Sequence, residues 1–293
     1  MIGLKSGTVA LCDHDAEWEF EAERTIKVLK KILGGVICDI AHVGSTSIKS
    51  IKAKPIIDIA VSVKTFDEVL KYEKQLKENG FYYRPADALK EQILFACGSR
   101  YDGTGDMQTH FIHVVKKDSM EWINYINFRD YLNENECVAK EYEALKVSLA
   151  EKCPVDAGRE KYLAGKHDFI TKTLRTALVK SYLGKTARIE IDRPIGTPHP
   201  KHPEIIYPIN YGYIPNVFGG DGEELDVYIL GIDGKIKEGG SINAKIIGIV
   251  YRKNDVEDKL VAAPDGMEYT AREIEEIINF QEQFYDSHVE ITK

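Results

Sequence analysis

Ten prolines are spread so unevenly over 293 residues that one continuous fold of a single style is excluded. Only Pro55 and Pro85 precede Pro154, whereas seven fall between Pro194 and Pro264. Proline fixes φ and removes a backbone donor, so a stretch holding seven of them is built from short strands and turns. The earlier part alternates helical and extended patterns instead. The change lies in 181–185, after a helical stretch that ends near Val179, which predicts one domain over 1–180 and another over 186–293. Two domains also suit the length, at roughly 150 residues each.

In the first domain, Ala22, Ile26, Leu29 and Leu33 recur at helical spacing until Gly34-Gly35 stops the pattern. Val36 to Val43 reads as a strand running into Gly44-Ser45-Thr46-Ser47. A second strand, Pro55 to Val63, alternates cleanly: Ile57, Ile59, Val61 and Val63 share one face and Asp58 points to the other. A helix is predicted from about Phe66 to a left-handed cap at Asn79-Gly80, with further strands over Ile93 to Cys97 and Phe111 to Val115. Three helical patterns follow, one carrying Val138, Tyr142, Leu145 and Leu149 on a stripe. This predicts an α+β fold, a small sheet backed by helices. In the second domain, strands are expected over Ile242 to Val250 and Leu260 to Ala263. Thr270 with Glu273 makes a capping box for a closing helix carrying Ile274, Ile277, Ile278 and Phe284. A small antiparallel barrel with one packed helix fits that pattern.

The densest chemistry is Asp221-Gly-Glu223-Glu-Leu-Asp226, following Gly219-Gly220. Acids so close together repel unless a counter-charge joins them, and a hard divalent cation such as Mg²⁺ supplies it. A solvated acidic turn is the alternative. Upstream stands Tyr207-Pro-Ile-Asn210-Tyr211-Gly-Tyr213-Ile-Pro215, where the prolines fix the backbone, Gly212 permits close approach and phenols can donate to phosphate. Packing alone accounts for Tyr213. Downstream, Asp255-Val-Glu257-Asp258-Lys259-Leu-Val adds carboxylates and a cation.

YPINYGYIP, DGEELD and EDKLVAAP together resemble the soluble, Mg²⁺-dependent inorganic pyrophosphatases over roughly Ala187 to Val289. The resemblance implies an OB-like barrel in which metals held by acids activate water against pyrophosphate. On it, Asp221 and Asp226 match loop aspartates, Glu223 stands where a middle aspartate is usual, and Tyr207 and Tyr211 match substrate-side tyrosines. It makes Glu223, Asp226 and Tyr211 catalytic, and Lys201, Tyr207 and Lys259 substrate contacts. Metal ligands would be Asp221, Asp226, Glu257 and Asp192, with Asp255 and Asp258 as alternatives to Glu257. The stretch Pro198 to Ile206 is too short for the family's hairpin, whose arginine has no counterpart here, and the C-terminal tyrosine-lysine pair has no match.

In the first domain, Ala41-His42-Val43-Gly44-Ser45-Thr46-Ser47 leads into Ala53-Lys54-Pro55-Ile-Ile-Asp58. A Gly-Ser turn opening a helix would present N–H groups and hydroxyls to phosphate, and Asp58 could hold the Mg²⁺ of a nucleoside triphosphate. Ser45 and Ser47 acting as plain helix caps is the other reading. With Thr109-His110-Phe-Ile-His113, Phe128-Arg129-Asp130 and Tyr162 to Lys166, this stretch resembles the GrpB-like family of predicted nucleotidyltransferases over about residues 8 to 178. The resemblance implies a mixed sheet with helices, phosphate contacts from Gly44, Ser45, Ser47, Lys54 and Arg129, and metal on Asp58. Ala60 stands where such a transferase has its second acid. His113 stands on the strand that would supply a third, either as a ligand or as a hydrogen-bonded core residue.

There are 39 basic and 47 acidic residues, for a net charge of −8, so a polyanionic partner such as nucleic acid is disfavoured. Five cysteines, odd in number and without a CxxC, are expected as buried small hydrophobes. No apolar run reaches the roughly 20 residues of a membrane span, and acids occupy the first 20 residues where an export signal is apolar, so a cytoplasmic protein is expected. The leading functional expectation is Mg²⁺-dependent diphosphate hydrolysis beside a transferase-like domain whose released pyrophosphate it would remove. The partner is then a phosphoanhydride, pyrophosphate or a nucleoside triphosphate. A non-catalytic nucleotide or metabolite sensor and a hydrolase of larger diphosphates are the alternatives, and a homo-oligomer stays open.

Overall fold

The computed structural model describes residues 2–152 and 159–292. Its contacts divide between Leu174 and Arg175 into two compact units.

In the first unit, helix α1 (Glu17–Leu33) buries Trp18, Ala22, Leu29 and Leu33, the expected stripe, and ends at Gly34 with φ 53°. Four strands, β1 (Ile37–Val43), β2 (Ile57–Val63), β3 (Gln92–Cys97) and β4 (His110–Lys116), form a sheet in the order β1-β2-β4-β3, edged by Tyr82–Tyr83. Only the β2–β4 pair is parallel. Ile57, Ile59, Val61 and Val63 enter one core with α1, as alternation requires. Helix α2 (Met120–Glu134) packs on β1, β2 and β4. Helix α3 (Glu136–Lys152), a short helix at Arg159–Ala164 and α4 (His167–Tyr182) follow.

Three expectations need correction. The helix predicted from Phe66 is two short ones, Phe66–Leu70 and Glu73–Glu78, because Tyr72 N–H bonds the Val69 carbonyl and tightens the chain out of α geometry. No α-helix opens after Gly44. Ser45–Ser47 is one 3₁₀ turn, and the Ser47 hydroxyl donates back to the Gly44 carbonyl at 2.6 Å, an alternative to helix continuation. Three of the cysteines are not core residues: Cys12, Cys38 and Cys137 are exposed, while Cys97 is half-buried against the sheet core as expected, and all four are unbridged. Cys38 sits on edge strand β1 and Cys137 in the first turn of α3, where little covers them. Cys153 lies outside the described residues.

The second unit is a barrel of β5 (Thr186–Arg193), β6 (Asn210–Phe218), β7 (Glu224–Ile229), β8 (Ser241–Arg252) and β9 (Lys259–Ala263), with α5 (Ala271–Glu282) and β10 (Ser287–Ile291). The ring runs β5-β6-β7-β9-β8 and closes on β5. All neighbours are antiparallel except β7 and β9, which run parallel. Long strand β8 pairs with β5 through Ser241–Lys245 and with β10 through Gly248–Arg252, while its other edge takes β9. Gly184 N–H and Thr292 N–H donate to the adjacent carbonyls of Ile246 and Ile247. The Thr270–Glu273 capping box forms, and Ile274 and Ile278 are buried. Phe284 falls beyond the helix end and is 62% exposed, because the chain has already turned toward β10.

Gly212 of β6 faces the backbone of β5, where an added Cβ would stand 2.0 Å from the Glu190 carbonyl oxygen. Its close approach is thus to strand backbone. Gly212→Ala is expected to lower unfolding free energy by about 1–3 kcal/mol through overpacking. Gly234→Ala, with no heavy atom within 4 Å of the new Cβ, should stay within about 0.5 kcal/mol of the parent. Urea denaturation of the full chain checks both, and equal midpoints for the two variants would contradict this packing.

Candidate functional site

The barrel holds a cavity of about 640 Å³ whose wall carries Asp221, Asp226, Asp255 and Glu257 together with Arg193, Lys201, Arg252 and Lys259. Parallel pairing of β7 with β9 sets Val227 against Leu260, which brings the preceding Asp226 and Lys259 together. Lys259 is 3% exposed along its side chain. Its ammonium donates to the Tyr211 hydroxyl at 2.8 Å and to Glu257 Oε2 at 2.8 Å, and it pairs closely with Asp226 Oδ2. All three of its donors are used.

Glu257 has a second oxygen, Oε1, that is buried and has no hydrogen-bond partner. Burial pushes this carboxyl up to about 7; the Lys259 charge opposes the shift and the Asp226 charge adds to it. An ideal Cβ at Gly219 would stand 3.5 Å from Asp221 Oδ1 and 3.6 Å from Glu257 Oε1, so the glycine keeps a space open between these two carboxylates. Hard oxygen donors, one of them orphaned, fit a divalent cation of the Mg²⁺ type. As the side chains stand, Lys259 occupies Asp226, and among the described residues no three His, Cys, Asp or Glu side chains are gathered to grip one ion.

Tyr211 is wholly buried, and burial, then the charge of Asp226, raises its hydroxyl well above the ordinary phenol range. The Arg193 guanidinium lies over the Tyr211 and Tyr207 rings, 5.0 and 5.5 Å from their centroids, and donates to the Tyr207 hydroxyl at 2.7 Å. Sequence reasoning missed Arg193, whose signal was an arginine ending a strand just before Pro194. It also missed Arg252, held by Glu282 at 3.0 Å and by Asp255 at 2.9 Å. The cavity therefore has two arginines despite its short 198–206 segment.

Other expected residues are placed as follows. Lys201 is exposed at the cavity wall, whereas Tyr207 is buried behind it and is not a lining residue. Asp192 faces Arg193 at 3.0 Å, outside the lining. Glu223 is exposed and off the cavity; what it gives the loop is its N–H, donated to Asp221 Oδ1 at 3.0 Å. Asp258 is taken by Arg175 at 2.7 Å, and Asp255 by Arg252, so of the three competing acids Glu257 has the unengaged oxygen. Tyr213 donates to Glu190 Oε2 at 3.2 Å, away from the cavity.

In the first unit, a cavity of about 240 Å³ is lined by Ser45, Lys54 and Asp58, joined by Lys146, Tyr162 and Lys166. Gly44 has φ 70°, and a Cβ there would stand 2.5 Å from Asp58 Oδ2, so only glycine lets the turn lie against this carboxylate. Gly44 and Ser47 are not lining residues. Asp58 Oδ1 stands 3.0 Å from His113 Nε2, and Ala60 lies opposite His113 in the parallel pair. Asp58 is thus a histidine-paired carboxylate, and among the described lining residues there is no second acid. Arg129 does not line the cavity. It donates to the His42 carbonyl at 3.1 Å and pairs with Asp130 at 2.7 Å.

The family model described as "GrpB protein" matches residues 8–176, and that described as "Inorganic pyrophosphatase" matches residues 179–290. The chain is 38% identical over 175 residues to the glutamate-rich protein GrpB of Alkalihalophilus pseudofirmus, covering 59% of this chain and 98% of that one. The crystal structure of the conserved protein GrpB from Enterococcus faecalis matches with a TM-score of 0.53 at 30% identity, over 59% of this chain and 99% of that one. An inorganic pyrophosphatase of Saccharolobus solfataricus is 38% identical over 78 residues, which is 26% of this chain and 41% of that protein. The chain belongs to the GrpB family, and its GrpB domain is followed by an inorganic pyrophosphatase domain. No helix of the described residues is long and apolar enough to cross a membrane.

The Glu257 shift gives a pH signature. Its folded pKa lies above the ordinary 4.5, so folding favours the neutral carboxyl; this contribution is complete below 4.5 and is lost as pH rises through about 7. In EDTA, the wild type should therefore lose stability relative to Glu257→Gln between these limits. Chemical denaturation at a series of pH values checks it, and parallel profiles for the two proteins would refute it.

Proposed function

We propose that the barrel of this GrpB-family chain hydrolyses inorganic diphosphate to two phosphates with a divalent cation, Mg²⁺ first, held by Asp221, Asp226 and Glu257. The observation that carries this reading is the buried, unpartnered Oε1 of Glu257, whose other oxygen shares Lys259 with Asp226 in one cavity. Bound there, the cation would shield the diphosphate charge and make a water more acidic. The chain's own residues do the rest. Arg193 and Lys201 supply charge-assisted donors for phosphoryl oxygens, and Lys259 joins them once the cation takes over Asp226 and Glu257. Tyr211 stays protonated, so its hydroxyl remains a donor while Lys259 fixes its orientation. Water adds to one phosphorus as the bridging P–O bond breaks, and the proton it releases goes to a carboxylate, for which the wall offers Asp226 and Glu257.

Phosphate release from diphosphate, followed while Mg²⁺ is titrated into the full chain, tests this. Turnover should require the metal, and Asp226→Asn and Glu257→Gln should each lower kcat by about 10²-fold or more. Glu223→Gln, outside the cavity, should stay within about threefold. No release by the wild type, or equal release by Asp226→Asn, ends the proposal.

A larger diphosphate is the second reading. The cavity wall includes Phe284, 62% exposed, an apolar surface for which bare diphosphate has no use. A substrate panel separates the two: preference for plain diphosphate rejects the larger substrate.

A further inference from the structure

The first unit gathers lysines around a cavity that diphosphate hydrolysis leaves unused. Lys54 precedes β2, and Lys166 lies between the short helix at Arg159–Ala164 and α4. Each carries its ammonium to the Tyr162 ring, 4.3 and 4.5 Å from the centroid. Lys146, from α3, lines the same cavity although it is only 1% exposed. It donates to the Lys52 carbonyl and lies 4.6 Å from the Tyr142 centroid. Cation–π contact offsets part of the mutual repulsion but does not compensate a buried charge. Burial draws the Lys146 ammonium down to about 7, the Lys166 charge adding to the effect and the Glu143 charge opposing it, and burial lowers Lys166 as well against the charge of Asp58. Among the described lining residues the only carboxylate is Asp58, which His113 already shares. Lys146 and Lys166 by themselves outweigh it.

We propose that this cavity binds a phosphoryl group, the anionic end of a phosphorylated small molecule, through Lys54, Lys146 and Lys166 with Ser45 beside them, and without a divalent cation. A phosphoryl group brings up to about two negative charges and three acceptor oxygens, which suits three ammoniums better than a single carboxylate does. A volume of about 240 Å³ is below the roughly 300–1,000 Å³ of pockets that enclose whole ligands. The cavity therefore takes the anionic end, and the remainder of the ligand lies at the rim, where Leu163 is 50% exposed. A magnesium ion would find one shared carboxylate and two opposing lysines, a donor set that does not suit it.

Calorimetric titration of the full chain in EDTA with inorganic phosphate, tripolyphosphate and ATP tests the site. At least one of these should bind saturably, Lys146→Met and Lys166→Met should each weaken binding by about tenfold or more, and added salt should weaken it further. Glu223→Gln, in the other unit and off its cavity, should leave it unchanged, and Mg²⁺-dependent phosphate release is read separately, so failure here is distinct from failure of the hydrolase reading. Equal affinity for tripolyphosphate and ATP assigns the contact to phosphoryl groups alone, and tighter ATP adds a rim contact; both support the site. No binding by any of the three, binding seen only when Mg²⁺ replaces EDTA, or affinity indifferent to both lysine variants overturns it. In the wild type, the bound compound should also shield Lys166 from acetic anhydride, read by mass spectrometry. Unchanged acetylation overturns the proposal however the variants fold.

Discussion

One buried ammonium organises the barrel cavity. Lys259 draws Asp226, Glu257 and Tyr211 onto a single nitrogen, and without it two carboxylates would face each other out of water. Burying charge in this way is tolerated only when every donor and acceptor finds a partner. Lys259 meets that condition and Glu257 does not, since one of its oxygens is left over. That leftover oxygen stands in the same cavity as Asp226. The strand arrangement enforces it, because the parallel pair β7–β9 brings Asp226 next to Lys259 regardless of what fills the cavity.

The first unit carries the opposite imbalance. There Lys146 is buried and Lys166 half-buried while the nearby carboxylate, Asp58, is engaged by His113. Hydrophobic burial creates both situations: α1 and the β2 stripe form one core, and Ile48, Ile51, Leu132 and Tyr142 another, with the lysine cavity adjoining the turn that carries Ser45 and Thr46. Each unit thus has a cavity in which charged side chains are drawn together, carboxylates around Lys259 in the barrel and lysines beside Asp58 in the sheet unit.

Local pattern made much of this legible. Alternation from Ile57 to Val63 placed Asp58 on the face away from the α1 core, and Thr270 with Glu273 marked the start of α5, because both signals span only a few residues. Asp221, Asp226, Glu257, Lys201, Tyr211 and Lys259 also meet in one cavity, as the tyrosine and acidic motifs implied. What stayed hidden depends on contacts between distant segments. Lys146 and Lys166 look like ordinary surface lysines until α3 and the turn before α4 fold over Tyr162. Arg193 reads as a strand end until β6 brings two tyrosine rings beneath it. Glu223 looked catalytic from its place between Asp221 and Asp226, yet the loop sends it outward and Glu257, more than thirty residues on, supplies the inward oxygen. The cysteines erred for a related reason: composition says what a side chain prefers, not whether a neighbour arrives to cover it.

The shared strand β8 has a consequence for how such a barrel travels between proteins. Its neighbouring carbonyls at Ile246 and Ile247 receive the N–H groups of Gly184 and Thr292, so the segment that leads into β5 and the one that follows β10 meet on the same strand. A side chain added at Gly184 would touch Thr292 at 3.7 Å. A barrel whose entering and leaving segments are neighbours can be joined to a host through one seam, without stretching the ring of strands that shapes its cavity.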